Sequence, residues 1–400
     1  MPALYPVDKH CPLRAEPWSE ARARAGIESI ICDCLESFDA RWLWPTHPLD
    51  GDEAYGTSFY YGAGGVFWGV SFLARQGLVE APPDWFSRWL PMLLERNLAA
   101  RASYPPTIDP SRSYLCGDIP LLMLQHVHEP APALADRLFQ RLEGASEGPV
   151  SELMWGLAGC MLATLHLHAA TGQGRWLELY RAQAQRLLAA GEQLPGVGYH
   201  WRPELYGQRH DGLGAVHGFA GNVLALLAGL RELSSSGRGA LLERVPQTLI
   251  NTAVEAAGRV NWPRSTSVEK PFRVYHCHGA PGIITSLAAL PVGTSPTLDR
   301  LLLEAGELVY EAGPLRKGPS LCHGTAGNGF AFLKLYERTR DEHWLSRARQ
   351  FAMHSLWQVE RGRELFGQGR YSLWTGDIGV ALYLHECLQA SARFPTLDVF

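Results

Sequence analysis

Cysteine and histidine stand side by side twice in this chain, at Cys277-His278-Gly279 and at Cys322-His323-Gly324. Each pair opens a run of one pattern, Cys-His-Gly-Ala-Pro-Gly at 277–282 and Cys-His-Gly-Thr-Ala-Gly at 322–327. Two thiols far apart in sequence and an adjacent imidazole are the soft and borderline donors that zinc takes when a catalytic site keeps one position open. An open site with two thiolates suits the activation of a third, incoming thiol, whose pKa the metal lowers while the sulfur stays nucleophilic. A closed structural site, with His278 as fourth donor, is the other arrangement these residues allow.

Something must bring the two segments together, and the chain carries a repeated device for it. A Gly-x-x-Gly step followed by a strongly apolar stretch occurs at Gly62/Gly65, Gly156/Gly159, Gly218/Gly221, Gly279/Gly282, Gly324/Gly327 and Gly376/Gly379, with a degenerate copy at Gly117-Asp118-Ile119-Pro120. The mean spacing of about 52 residues marks a supersecondary unit with variable loops. The stretches after the steps (66–74, 160–168, 222–230, 283–290, 329–336 and 380–388) are rich in Ala, Leu and Phe and nearly free of charge, as helices buried all round should be.

Between them lie amphipathic segments: Ile27, Ile30, Ile31, Cys34, Leu35 and Phe38 share a helical face, as do Trp176, Leu177, Tyr180, Ala184, Leu187 and Leu188, and Leu298, Leu301, Leu302 and Ala305. Asp84 before Trp85 and Ser295 before Pro296 read as helix starts, and β signals are sparse. The pattern predicts an all-α protein, an α/α toroid of seven helical hairpins with inner and outer rings. It predicts a single domain over residues 1–400, because no hairpin can bury its inner helix alone. The glycine steps would then sit at the amino ends of the inner helices, where distant turns converge.

The 400 residues are 46% hydrophobic and 19% charged, enough for a large core, and the formal charge of −4 leaves no basic footprint for nucleic acid. The amino terminus lacks a charged segment followed by an apolar one, and no stretch reaches the ~18–20 apolar residues of a transmembrane segment. Eight cysteines in so long a chain do not form a disulfide framework. A reduced, cytoplasmic protein is expected.

The motifs, in order, are Tyr61-Gly62-Ala63-Gly64-Gly65, Tyr114-Leu115-Cys116-Gly117-Asp118, Trp155-Gly156-Leu157-Ala158-Gly159, Val216-His217-Gly218-Phe219-Ala220-Gly221, the two Cys-His-Gly runs, and Ser372-Leu373-Trp374-Thr375-Gly376. In that order they resemble the lanthionine synthetase C-like family, nearer to its stand-alone members than to dedicated lantibiotic cyclases. The resemblance implies a seven-repeat α/α barrel and a zinc ion, Zn2+, held by Cys277, Cys322 and His323. It implies addition of a thiol, glutathione or a peptide cysteine, to dehydroalanine or dehydrobutyrine in a peptide or protein. It further implies His217 as the acid that protonates the α carbon, Arg273 as a partner for the enolate oxygen, Glu152 as an aid to proton transfer and Lys317 as a contact for glutathione.

This chain departs from the family's pattern at His276, where a tryptophan is usual. It has no arginine before Arg14 to match one that glutathione-using members carry near the amino terminus, and Arg370 is only a neighbour of another. His200, His210, Asp211, Cys116 and Asp118 are further candidates to line the cavity. Two other classes answer to a helical barrel. A glycosidase of α/α barrel type needs two carboxylates flanking a cleft, and the turns carry few. A non-catalytic glutathione- or peptide-binding protein would retain the fold alone.

Overall fold

Apolar runs with no polar face to offer water fold as helices covered on every side. In the computed structural model, which describes residues 3–50, 56–99, 109–148, 150–267 and 272–400, seven such helices alternate with seven amphipathic ones. The buried set is α2 (Ala63–Arg75), α4 (Ile119–His128), α6 (Leu157–Thr171), α8 (Phe219–Ala228), α10 (Ala280–Leu287), α12 (Thr325–Thr339) and α14 (Asp377–Gln389). The amphipathic set is α1 (Glu20–Glu36), α3 (Trp85–Ala99), α5 (Pro132–Ala145), α7 (Gly174–Ala189), α9 (Ser235–Thr252), α11 (Pro296–Ala312) and α13 (Glu342–Phe366). This is the fold class expected from the sequence, all-α with the helical-hairpin repeats of an α/α toroid.

Burial follows the pattern residue by residue. Every residue from Phe219 to Leu227 in α8 and from Ala280 to Leu287 in α10 is buried. In α11 the buried residues include Leu298, Leu301, Leu302 and Ala305, one face at helical spacing. That helix starts as expected, with the Ser295 hydroxyl accepting from the Leu298 N–H at 3.3 Å. The strands among the described residues form three antiparallel hairpins, β1 (Glu192–Leu194) with β2 (Gly198–His200), β3 (Glu204–Leu205) with β4 (Gln208–Arg209), and β5 (Val254–Ala256) with β6 (Arg259–Asn261).

The helices divide between two compact units. One comprises Met1–Asp8, Ser103–Tyr114 and Ala135–Ala312. In it α6 packs on α7 and α8, α8 on α10, and α10 on α11, whose side is covered by β6. The other comprises Lys9–Ala102, Leu115–Leu134 and Gly313–Phe400. There α12 packs on α13 and α14, α14 on α1 and α2, and α2 on α3 and α4. No described helix is long and apolar enough to cross a membrane.

One detail differs from expectation. The buried helices begin right after the first glycine of each step, about one turn earlier than composition suggested. The first glycine is the N-cap residue and the second lies inside the first helical turn. The reason is a loop that curls back beneath the helix. The first helical N–H donates to a carbonyl seven residues upstream: Ala63 to Gly56, Leu157 to Val150, Phe219 to Gly212, Thr325 to Gly318 and Asp377 to Arg370, at 2.8–3.2 Å. So close a return excludes side chains. A Cβ at Gly156 or Gly159 would lie 2.2 Å from the carbonyl oxygen of Val150 or Leu153. These bonds also satisfy amides that a helix amino end would otherwise leave orphaned in the interior.

Candidate metal centre

Aligned on the capping glycine, the turns place equivalent residues at equivalent positions. Two residues before the cap stand Tyr60, Met154, Val216, Cys277, Cys322 and Trp374. One residue before it stand Tyr61, Trp155, His217, His278, His323 and Thr375. Both candidate thiol ligands thus share one register, and His217 shares that of His323.

Among the glycine-capped turns, that of Cys277 departs from the backbone rule. Tyr275 and His278 pair through both of their N–H groups, at 3.2 and 3.0 Å, which holds Cys277 in a tight turn. Gly279 then takes φ of 96°, whereas the caps of the other buried helices have negative φ. The direct bond from Ala280 to Arg273 is replaced by a side chain. The Asn261 carbonyl accepts from the Ala280 N–H at 2.8 Å, and its amide donates to the Arg273 carbonyl at 3.0 Å. Asn261, wholly buried at the end of β6, also donates to the Leu4 carbonyl at 2.8 Å and accepts from Trp262 N–H at 2.9 Å. All four hydrogen-bonding positions of its amide are used.

The Cys322 turn keeps the backbone rule and gains a second support. Cys322 N–H donates to the Trp374 carbonyl at 2.9 Å, Trp374 N–H to Tyr60 at 3.0 Å, and Tyr60 N–H to Leu115 at 3.0 Å. A belt of main-chain bonds therefore strings four turns together, through the register shared by Cys322, Trp374 and Tyr60 and on to Leu115. The Tyr60 hydroxyl returns along it, donating to Cys322 Sγ at 2.8 Å.

The two sulfurs and a ring nitrogen of His323 all lie within 4.8 Å of one another, the cysteines buried and the histidine half-buried. Tetrahedral zinc with its usual bond lengths needs ligand separations of about 3.6–3.8 Å, which lie inside that limit, and two thiols with an imidazole are donors zinc takes. Among the described residues His278 is not part of the group. Cys116, in the same register before the capping Asp118, does not join it either.

Glu152 is fully buried, and its carboxylate accepts from the backbone N–H groups of Met154 and Trp155. Its Oε2 lies 2.8 Å from Nδ1 of His217, whose side chain is 21% exposed and so within reach of a substrate. A carboxylate on Nδ1 fixes the imidazole tautomer and aims Nε2 away from itself. The loop bearing His217 lies against the Cys277 turn, since a Cβ on Gly214 would meet the Cys277 carbonyl oxygen at 2.1 Å. His210 is close by, and burial first and His217 second push its pKa down.

Of the remaining candidates, Arg273 is half-buried and forms no ion pair among the described residues. Lys317 is exposed at a cavity of about 340 Å³ also lined by Arg316, Trp357, Arg361, Arg363 and Arg370. Arg14 stacks over Trp357 of that wall at 4.6 Å. Arg370 pairs with Asp50. His276 and His200 are fully buried, and His200 is bonded to the Trp201 carbonyl at 2.6 Å. Asp211 accepts from the Thr266 hydroxyl at 2.6 Å. Tyr60 and Asn261 were not foreseen. The register of Tyr60, two residues before its cap, was the available signal; Asn261 had none.

The fold and site define a helical-hairpin protein with a candidate Cys2His metal centre at the amino ends of its buried helices. Residues 100–399 match the family model for lanthionine synthetase C-like protein, and the chain belongs to that family. It is 28% identical over 317 residues to glutathione S-transferase LANCL1 of Danio rerio, covering 72% of this chain and 74% of that protein. It is 27% identical over 263 residues to LanC-like protein GCL1 of Arabidopsis thaliana, covering 62% and 58%. Nisin cyclase shares the fold with a TM-score of 0.61, 82% of this chain and 88% of that one being covered, at 16% identity. In sequence the chain is nearer to LANCL1 and GCL1 than to nisin cyclase.

Proposed function

We propose that this protein is a zinc-dependent enzyme that adds a thiol, glutathione in the first instance, to dehydroalanine or dehydrobutyrine residues of peptides or proteins, forming a thioether. The observation that carries the proposal is the meeting of Cys277, Cys322 and His323, with the Glu152–His217 pair on a loop against the Cys277 turn. Zinc, when bound, would supply an open position where an incoming thiol ionises near neutral pH. His217, its Nδ1–H given to Glu152, takes the thiol proton on Nε2. The sulfur bonds to the β carbon, the alkene pair moves into an enolate, and His217 returns the proton to the α carbon. Arg273, on the Cys277 turn, is the assigned partner of the enolate oxygen.

Glutathione is a thiol with two carboxylates, and at the cavity beside Lys317, where Arg361, Arg363 and Arg370 already pair with carboxylates, Lys317 and Arg316 are the cations offered to such a ligand. A reducing, cytoplasmic setting, where glutathione is abundant, belongs to this reading. The name of the zebrafish relative points the same way. Incubation with glutathione and a dehydroalanine peptide, with and without a chelator, tests the reading. One glutathione mass per alkene is expected, and the gain disappears with the chelator. No chelator-sensitive gain defeats the proposal.

Arg273 also favours a second reading, cyclisation onto a cysteine of the same peptide. A peptide carrying both groups separates the two: ring closure without glutathione incorporation supports the second.

A further inference from the structure

Thiol addition at this centre raises a problem of selectivity. Two resident sulfurs and one incoming sulfur would face the same electron-poor alkene. Were Cys322 to attack, its Sγ would bond to the β carbon, the alkene pair would pass to the α carbon and take a proton there. The thioether left behind is a poor ligand, and the site would be lost.

Tyr60 is placed to prevent this. Its hydroxyl donates to Cys322 Sγ at 2.8 Å, and it is not a freely turning group. The ring stacks on Trp374 with centroids 5.9 Å apart and planes 25° from parallel, and it meets Tyr61 edge-on at 6.0 Å. The backbone is fixed on both sides by the belt of main-chain bonds. A hydrogen bond to an anion is among the stronger ones, and it draws density from the lone pair it occupies. Partners of this kind around a metal ligand tune its basicity.

We propose that Tyr60 is a positioning residue that, through this hydrogen bond, lowers the nucleophilicity of the Cys322 thiolate, so that it serves as a metal ligand without attacking the alkene. The proposal rests on the thiol-addition reading above and adds a protective role that the reaction itself does not require.

The test uses the full chain loaded with zinc and N-ethylmaleimide, itself an electron-poor alkene, with peptide mass mapping to follow Cys277 and Cys322 separately. In Tyr60→Phe the metal content before treatment stays at the wild-type value and the Cys277 rate is unchanged. Cys322 is alkylated about tenfold faster, the factor carried by one charge-assisted hydrogen bond. In the cobalt-loaded variant the sulfur-to-metal charge-transfer band shifts, which a purely structural role for the ring would not cause. A 3-fluorotyrosine in place of Tyr60, a stronger donor of the same shape, slows Cys322 alkylation below the wild-type rate. Equal Cys322 rates in wild type and Tyr60→Phe, with wild-type protection that a chelator abolishes, overturn the assignment to Tyr60 alone. A wild-type Cys322 rate that ignores the chelator overturns the metal reading, and this proposal falls with it.

Discussion

The turns of Cys277 and Cys322 present the same residue types in the same register, yet they are built by different means. At Cys322 the chain closes on itself through Thr325 and Gly318, and the cysteine hangs on a belt of backbone bonds running through Trp374 and Tyr60. At Cys277 the corresponding bond is absent, the cap has φ of 96°, and one buried amide, Asn261, bridges the gap. Backbone bonds are available to any sequence, so a turn made of them survives most side-chain changes. A turn completed by a side chain can adopt a geometry the repeat does not provide, but it depends on a single residue. The repeat thus supplies the scaffold, and an irregular copy of it carries a ligand.

The largest expected break in this contrast is Asn261→Ala. It leaves the Arg273 and Leu4 carbonyls and the Ala280 N–H buried without this partner, at a cost of about 4 kcal/mol, because each unsatisfied buried group costs ~1–3 kcal/mol. Urea unfolding measures the loss, and metal analysis should show weaker retention as the Cys277 turn loosens. Asn261→Asp keeps the acceptor for Ala280 and should fall between the two.

Next comes Glu152→Gln, on the loop side of the Cys277 turn. The His217 tautomer is no longer set by a carboxylate, so kcat for thiol addition should fall about 100-fold with metal content unchanged. Steady-state kinetics with glutathione as the varied substrate distinguishes this from weakened binding, which would appear in KM.

The belt side has its own titratable anchor. Asp377 opens α14, accepts from Arg370 N–H at 3.0 Å, and is pushed up to about 6 chiefly by burial. Its folded-state pKa lies above the unfolded value, so the folded chain favours the protonated form. The contribution to stability is therefore full below about pH 4 and declines as pH rises to about 6, by about 2 kcal/mol after allowance for relaxation. Asp377→Asn should remove that decline, seen by comparing urea midpoints of both proteins at pH 4 and pH 7. The smallest effect is that of Tyr60→Phe on stability, within about 1 kcal/mol by the same measurement, because the stacked ring and the belt remain.

The amino-acid order alone settled a good deal. Alternation of uniformly apolar and one-faced segments specified buried and amphipathic helices, since each periodicity has one way to shed apolar surface. Glycine pairs marked the helix starts, and the Cys-His-Gly runs marked the residues that could hold a metal. The shared register of Cys277 and Cys322, and of His217 and His323, was also legible once the turns were aligned.

What the chain order did not contain was decided by tertiary packing. Nothing local distinguishes Asn261 from any other hairpin asparagine, because its partners at residues 4, 273 and 280 are remote in sequence. The phenol of Tyr60 and the sulfur of Cys322, 262 positions apart, meet only through the main-chain belt. Sequence periodicity reports which face of an element must leave water. Which distant polar groups then share the dry interior is fixed by the demand that each find a partner there, a condition that exists only in the folded chain.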